Sequence, residues 1–417
     1  MLIRGMPSFL QTMLMKLLLA VALSVWAVGL SSSQSCSKEG AKVLNECGDT
    51  CYCKNGQLQC CRLRREFTSM TEDERTLYVE AVRVASTDPT YRKDYKALIT
   101  THEKLFNEGI HNQEQFLPWH RWFTLQYENL LRRVDCRVTI SYWDWSLVSG
   151  DPWNSDKGRV WFDGPSGLGG DGVPPSLCIQ DGVFREDLWN KTNGQCLRRL
   201  FNGFTPNAMD VFLVMDQPAS MDGFNSFEVG LRVNLHDKIH CQIGGDMCSR
   251  TAAEAPEFFL HHGYIDRIWS DWQNRGPDYL TIFFVNLTDP MKGTEYSPRD
   301  FIDNRNLPNV ESPEGKTCIL YQAPLEPVYR EVWKLLKGKT RQQILKVPRN
   351  PLEPLTDRQM RLFHVSPEEQ RKAKEILQGL EPRFKLKATA PLFGEDRNLG
   401  FRLAFLRPTE GKEALIH

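Results

Sequence analysis

Residues 256–269 read PEFFLHHGYIDRIW, with two adjacent histidines set between apolar residues. On a helix neighbouring side chains point about 100° apart, so His261 and His262 cannot both face one centre. Which of them turns inward depends on the other histidines. The 417-residue chain has 9, and five of the seven beyond this pair cluster as His102, His111 and His120 in one window and His236 and His240 in another. In LHDKIH the two histidines are four residues apart, so on a helix their rings lie about 40° apart on one face and can share a metal ion. Such a pair alone is more often a packing accident than a site. A third histidine on the next helix changes that balance, and the first window supplies three more.

With 41% apolar residues the chain can bury a sizeable core. Its 52 basic and 52 acidic residues cancel, which removes any overall field toward nucleic acid or an anionic membrane. Arg4 and Lys16 precede the apolar run LLLAVALSVWAVGL and the small residues SSSQS. This is the layout of a secretory signal peptide over 1–33, its apolar run being shorter than the roughly 20 residues that span a bilayer. The expected mature protein is extracellular and off the membrane.

Twelve cysteines fit that route. Cys36, Cys47, Cys51, Cys53, Cys60 and Cys61 are crowded into a stretch with few apolar residues, which predicts a disulfide-stapled module over 34–61. Cys136, Cys178, Cys196, Cys241, Cys248 and Cys318 are spread out and suit stapled loops in the main domain. Asn190 and Asn286 begin glycosylation sequons.

Periodicity predicts a helix after the caps Thr68 and Thr71, a second over YKALITTHEKLF, and a third over PWHRWFTLQYENLLRRV started by Pro118. Two more cover VNLHDKIHCQI and FFLHHGYIDRIWSDWQ. Residues 147–225, rich in Gly, Pro, Asp and Trp, read as long surface loops. The fold class that follows is mainly α, an antiparallel four-helix bundle around a shared centre with disulfide-stapled loops. That domain runs over 62–289. Residues 290–417 read as a separate extension, with the basic run KLLKGKTRQQILKVPRN and a hairpin over KLKATAPLFGEDRNLGFRLAFL.

Three neutral imidazoles per ion, with no carboxylate cluster beside them, suit copper or zinc over magnesium or calcium. A catalytic zinc site would use one triad and leave the other unexplained. Two adjacent triads suit a pair of copper ions that bind dioxygen together.

YKALITTHEKLF, HNQEQFLPWHRWF, ISYWDW, VNLHDKIHCQIGGDM and FFLHHGYIDRIWSDWQ together resemble the tyrosinase family of type 3 copper proteins, over about residues 60 to 285. The resemblance implies that His102, His111 and His120 hold one copper and that His236, His240 and His262 hold the other. In the family pattern the second histidine of the pair is the ligand, which leaves His261 to pack beside it. Asp266 is then either the orienting partner of a neighbouring ligand or the ion-pair partner of Arg267 or another arginine, and Arg121 holds structure. Phe123 and Phe258 become walls of a water-poor pocket. Glu228 matches the place of an acidic residue that holds a water near the second copper, and Asp237 stands where the family often has Asn. Such carboxylates can take the proton of a phenol. Ala255 stands before Pro256 where the family commonly has Asp, and Gly109, two before His111, rules out a cysteine-to-histidine thioether.

The implied activity is ortho-hydroxylation of monophenols, oxidation of o-diphenols to o-quinones, or both, with dioxygen as co-substrate. The implied partner is a small phenol or catechol, or a protein tyrosine. Two other classes use the same histidines, an oxygen carrier and an extracellular matrix protein that keeps the fold with little activity. The extension over 290–417 is expected to shield the pocket, as such extensions do in some relatives.

Overall fold

In the computed structural model, which describes residues 36–111, 113–284, 286–308, 316–322 and 352–379, helix α1 (Glu72–Thr87) begins at a capping box. The Thr71 hydroxyl accepts from Glu74 N–H and the Glu74 carboxylate accepts from Thr71 N–H. Tyr78, Val79, Val82 and Ala85 form its buried face. Asp88 caps α2 (Pro89–Leu105), whose first position is a proline that has no N–H to leave unpaired. Helix α3 is Gln113–Val134, so it starts before Pro118 and carries that proline inside. The lost backbone bond is offset by burial of Phe116, Leu117 and Trp119 around it.

The chain continues through α4 (Ala208–Met215), α5 (Met221–Val229), a π-helix (Gly230–Asp237), α6 (Lys238–Ile243), α7 (Glu257–Gln273), α8 (Pro277–Thr281), α9 (Asp357–Leu362) and α10 (Pro367–Gln378). α1 packs on α2 and α3, α3 on α7, and both α7 and α10 on the π-helix. The described structure is therefore mainly helical. None of its described helices is long and apolar enough to cross a membrane.

Two units are distinguished. The smaller, described over 36–43 and 51–60, holds the disulfides Cys36–Cys53 and Cys51–Cys60. In the larger, Cys61–Arg64 of strand β1 (Gln57–Arg64) pairs in parallel with β3 (Lys316–Tyr321), and β2 (Leu307–Pro308) pairs antiparallel to β3. The crowded cysteines do not pair only among themselves. Cys47 joins Cys136 and Cys61 joins Cys318, both within the larger unit. Cys178–Cys196 and Cys241–Cys248 staple loops of that unit.

The segment 147–225 differs from the surface loops its composition suggests. Trp161, Leu168, Phe184, Trp189 and Leu197 are buried. Buried Arg199 organises them by donating to the carbonyls of Leu168, Gly169 and Gly170 while pairing with Glu257. α4 and the start of α5 also lie in this segment, α4 opened by a capping box between Asn207 and Asp210. The expected signal peptide over 1–33, the basic run at 334–350 and the hairpin at 385–406 lie outside the described residues.

Candidate metal centre

His236, the last turn of the π-helix, and His240 on α6 stay on one side of the chain, their ring centroids 4.4 Å apart. π-helical turns are rare and recur at functional sites. α6 ends at Gly244 and Gly245, whose φ values of 69° and 53° lie in the left-handed region. A Cβ on either would sit 2.3 Å from the Leu200 carbonyl oxygen or 2.1 Å from that of Arg198. That turn brings Met247 back so that its carbonyl accepts from His240 Nδ1 at 2.8 Å. His236 Nδ1 meets Asp237 Oδ1 at 2.8 Å. A carbonyl only accepts, so the His240 hydrogen is on Nδ1 and its Nε2 presents a lone pair.

α7 supplies the third ring. His262 Nε2 lies 3.2 Å from His236 Nε2 and 3.3 Å from His240 Nε2, while the latter two are 3.0 Å apart. His261, one residue earlier, also reaches His236 and His240 with a nitrogen, within 4.8 Å. Its Nδ1, however, accepts from Trp145 Nε1 at 3.3 Å. Gly263 permits that contact by letting the 141–145 segment lie against the helix. A Cβ there would be 2.9 Å from the Ser141 carbonyl oxygen, and Trp143 N–H donates to the Leu260 carbonyl at 3.1 Å.

His102 on α2, His111 before α3 and His120 on α3 form the other group, their nitrogens also within 4.8 Å of one another. His120 Nδ1 donates to the Phe116 carbonyl one turn earlier at 2.8 Å, and its Nε2 has no partner. His111 Nδ1 points at the Phe106 carbonyl at 3.5 Å. Neither nitrogen of His102 has a hydrogen-bond partner. The groups adjoin, since the rings of His120 and His262 stack at 4.5 Å.

Phe258 stacks on His262 at 4.0 Å and meets His102 edge-on at 5.0 Å. Phe123 lies 5.8 Å from His102. Asp266 faces away from the histidines, paired with Arg121 at 2.6 Å and Arg64 at 3.3 Å and accepting from the Tyr321 hydroxyl. Arg121 also donates to the carbonyls of Phe301 and Ile302. Buried Glu228 pairs with Arg232 at 2.6 Å. Asp237 keeps its Oδ2 without a hydrogen-bond partner.

Burial pushes all seven imidazoles down, His120 to about 3 and His240 to about 4, so they are neutral at pH 7. Burial pushes the Glu228 and Asp237 carboxyls up, with Arg232 opposing in both. Converging lone pairs repel, and the buried nitrogens with no partner are costly unless something accepts them. Three donors about 2.0–2.1 Å from one tetrahedral centre lie roughly 3.3 Å from each other. The 3.0–3.3 Å triangle of His236, His240 and His262 fits such an ion, and an all-imidazole donor set suits copper or zinc.

The family profile "Tyrosinase: Common central domain of tyrosinase" matches residues 92–275. The tyrosinase of Streptomyces lincolnensis is 33% identical over 274 residues, covering 58% of this chain and 96% of that protein. The chain belongs to the tyrosinase family. The tyrosinase of Streptomyces glaucescens is 30% identical over the same length, again covering 96% of that protein. A polyphenol oxidase structure from Thermothelomyces thermophila aligns at a TM-score of 0.47 and 23% identity, over 63% of this chain and 89% of that one.

At the centre of this tyrosinase-family chain the sequence reading missed four groups. The carbonyls of Met247 and Phe116 are backbone atoms that no side-chain pattern marks. Trp145 stands in the recognised ISYWDW stretch, yet nothing local says that it reaches His261. Phe363 lies far along the chain, with its ring 5.8 Å from His240 and 6.2 Å from His236.

Proposed function

We propose that the chain is a secreted copper oxidoreductase that oxidises o-diphenols to o-quinones and hydroxylates monophenols at the ortho position. His102, His111 and His120 hold one ion, and His236, His240 and His262 hold the other. We assign α2, α3, α7 and the continuous segment of the π-helix and α6 as the four-helix bundle that presents them, with His111 on the turn that enters α3. The observation that carries this reading is the convergence of three Nε2 atoms, 3.0–3.3 Å apart, beside a second buried histidine triad, in a chain of the tyrosinase family. The choice of His262 over His261 rests on the Trp145 N–H that occupies His261 Nδ1.

Two copper ions bound there supply the electron transfer that couples dioxygen reduction to phenol oxidation. Two catechols give up two electrons and two protons each, and one dioxygen becomes two waters. The protein fixes the rings of His120, His236 and His240 through their far nitrogens, with Phe116, Asp237 and Met247 as the respective partners. Phe123 and Phe258 keep water from the rings. For a monophenol, Asp237 Oδ2 and the Glu228 carboxylate are the acceptors we assign to the phenolic proton. Catechol turnover by the copper-loaded protein tests the reading, and full copper loading with no oxidation of any phenol would replace it with a carrier or matrix role.

We also assign the 352–379 part of the expected 290–417 extension as a cover over the centre. Residues 298–308 and 316–321 are not separate from the domain but pack into its core through Phe301, Leu307 and Ile319 and are held by Cys61–Cys318. Phe363 is 2% exposed and packs among Phe106, Val229 and Val233. α10 is tied down by Glu369, which pairs with Arg232, and by the Ala373 carbonyl, which accepts from Asn234 Nδ2 at 2.7 Å. His364 holds a left-handed φ of 56° that turns the chain directly after Phe363. The copper domain over 62–289, the cysteine module over 34–61 and the leader over 1–33 complete the proposed organisation, with Asn190 exposed as its glycosylation site.

A further inference from the structure

We propose that a cavity of about 540 Å³ at the edge of α9 binds a doubly charged oxyanion, a phosphate or sulfate group, which latches the 352–379 cover to the rest of the domain. The latch rests on the cover reading above, and the binding site does not. Arg198, Arg250, Arg358 and Arg361 line the cavity with Ser249 and Thr251, and no carboxylate lines it. Arg198 has Asp246 at 3.1 Å and Arg250 has Glu103 at 3.6 Å. Among the described residues, Arg358 and Arg361 have no carboxylate partner within ion-pair distance. Asp246 is shared with buried Lys191 at 2.8 Å, so at least two of the four guanidinium charges are uncompensated, enough to balance one dianion. The Ser249 hydroxyl donates to the Asp246 carbonyl and bonds to the Thr251 hydroxyl, which fixes the loop and leaves the guanidinium forks as the donors. Planar forks suit tetrahedral oxyanions. The cavity is broad and open to solvent, larger than a bare ion needs.

The position gives the site its consequence. Arg358 and Arg361 stand on α9, and Arg361 is two residues before Phe363. Arg250 and Arg198 stand across the seam, beside the Cys241–Cys248 loop that carries the Met247 carbonyl to His240. Like charges face one another without a ligand, and a shared anion turns that repulsion into attraction. A filled site therefore holds Phe363 over the histidines and lowers turnover.

Equilibrium dialysis of radiolabelled sulfate against the copper-loaded full chain, with ionic strength fixed by sodium chloride, tests the site. One saturable site is expected. Binding should weaken about ten-fold or more in Arg358→Gln/Arg361→Gln and in Arg198→Gln/Arg250→Gln. Non-saturable uptake, or variants that bind like the parent, overturn the proposal. Tighter binding of a trisulfated disaccharide identifies a glycan-borne group, and equal binding identifies the free ion; both support the site. Catechol turnover should fall as sulfate fills the parent and stay flat in Arg358→Gln/Arg361→Gln, whereas saturable binding with unchanged turnover rejects the latch. Failure of the cover itself would show separately, as a Phe363→Ala variant no faster than the parent.

Discussion

Truncating Phe363 to alanine should raise catechol turnover. The side chain is buried against Phe106 and the rings of His236 and His240, and burying a phenylalanine is worth about 1.5–3 kcal/mol. Removing that term shifts the covered-to-uncovered equilibrium by roughly 10-fold to 150-fold. Where the substrate binds only the uncovered form, apparent kcat/KM rises by the same factor until that form dominates. The assay is initial-rate oxidation of a catechol by parent, Phe363→Leu and Phe363→Ala proteins matched for copper content. Leucine refills part of the space and should fall between the other two. The remaining anchors of α10, Glu369 on Arg232 and Ala373 on Asn234, stay in place, so the change should leave the histidine centre folded. Equal or lower kcat/KM in Phe363→Ala, at unchanged copper content, would refute the reasoning.

Three further outcomes are expected. Burial raises the Glu66 carboxyl from 4.5 to about 7 in the folded chain, so the folded state keeps a proton that the unfolded state releases. Stability should therefore fall as pH rises from 4.5 to 7, by up to roughly 3 kcal/mol. Glu66→Gln should flatten that slope in thermal unfolding, and an unchanged slope counts against it. Burial would also raise Glu128, but Arg64, Arg62 and the Ile140 N–H overcome it and hold it at about 2. Glu128→Gln leaves buried charge unpaired and should cost about 3 kcal/mol in urea unfolding, while a loss under ~1 kcal/mol would show that the arginines re-pair with Asp266. Glu228→Gln should lower monophenol turnover more than catechol turnover, and an equal loss of both removes Glu228 from the proton transfer.

The sequence exposed those parts of the protein whose physics is local. An i,i+4 histidine pair and a helix cap at Thr71 are legible because helix spacing and helix ends are set by neighbouring residues, although of the two expected caps only Thr71 serves α1. What stayed hidden depends on contacts between distant segments. Cys47 and Cys61 pair with Cys136 and Cys318, far outside their own cluster, and no spacing rule foretells a partner that distant. The tryptophans of 147–207 look like loop residues because they have no periodicity, yet Arg199 and Glu257 draw that stretch into the core. Asp266 lies one helical turn from His262, which leaves its role open on paper. Arg64 and Arg121, from β1 and α3, decide it in space. Phe363 carries no signal of its own in the sequence, and only the packing of α9 and α10 brings its ring beside His236 and His240.

Copper content of the purified full chain, by elemental analysis of the parent and of single histidine variants, tests the central claim most directly. The account predicts two ions per chain in the parent and in His261→Ala, and one in each of His111→Ala, His240→Ala and His262→Ala. A parent that holds one ion or none, or a His262→Ala variant that keeps both while His261→Ala loses one, would contradict it.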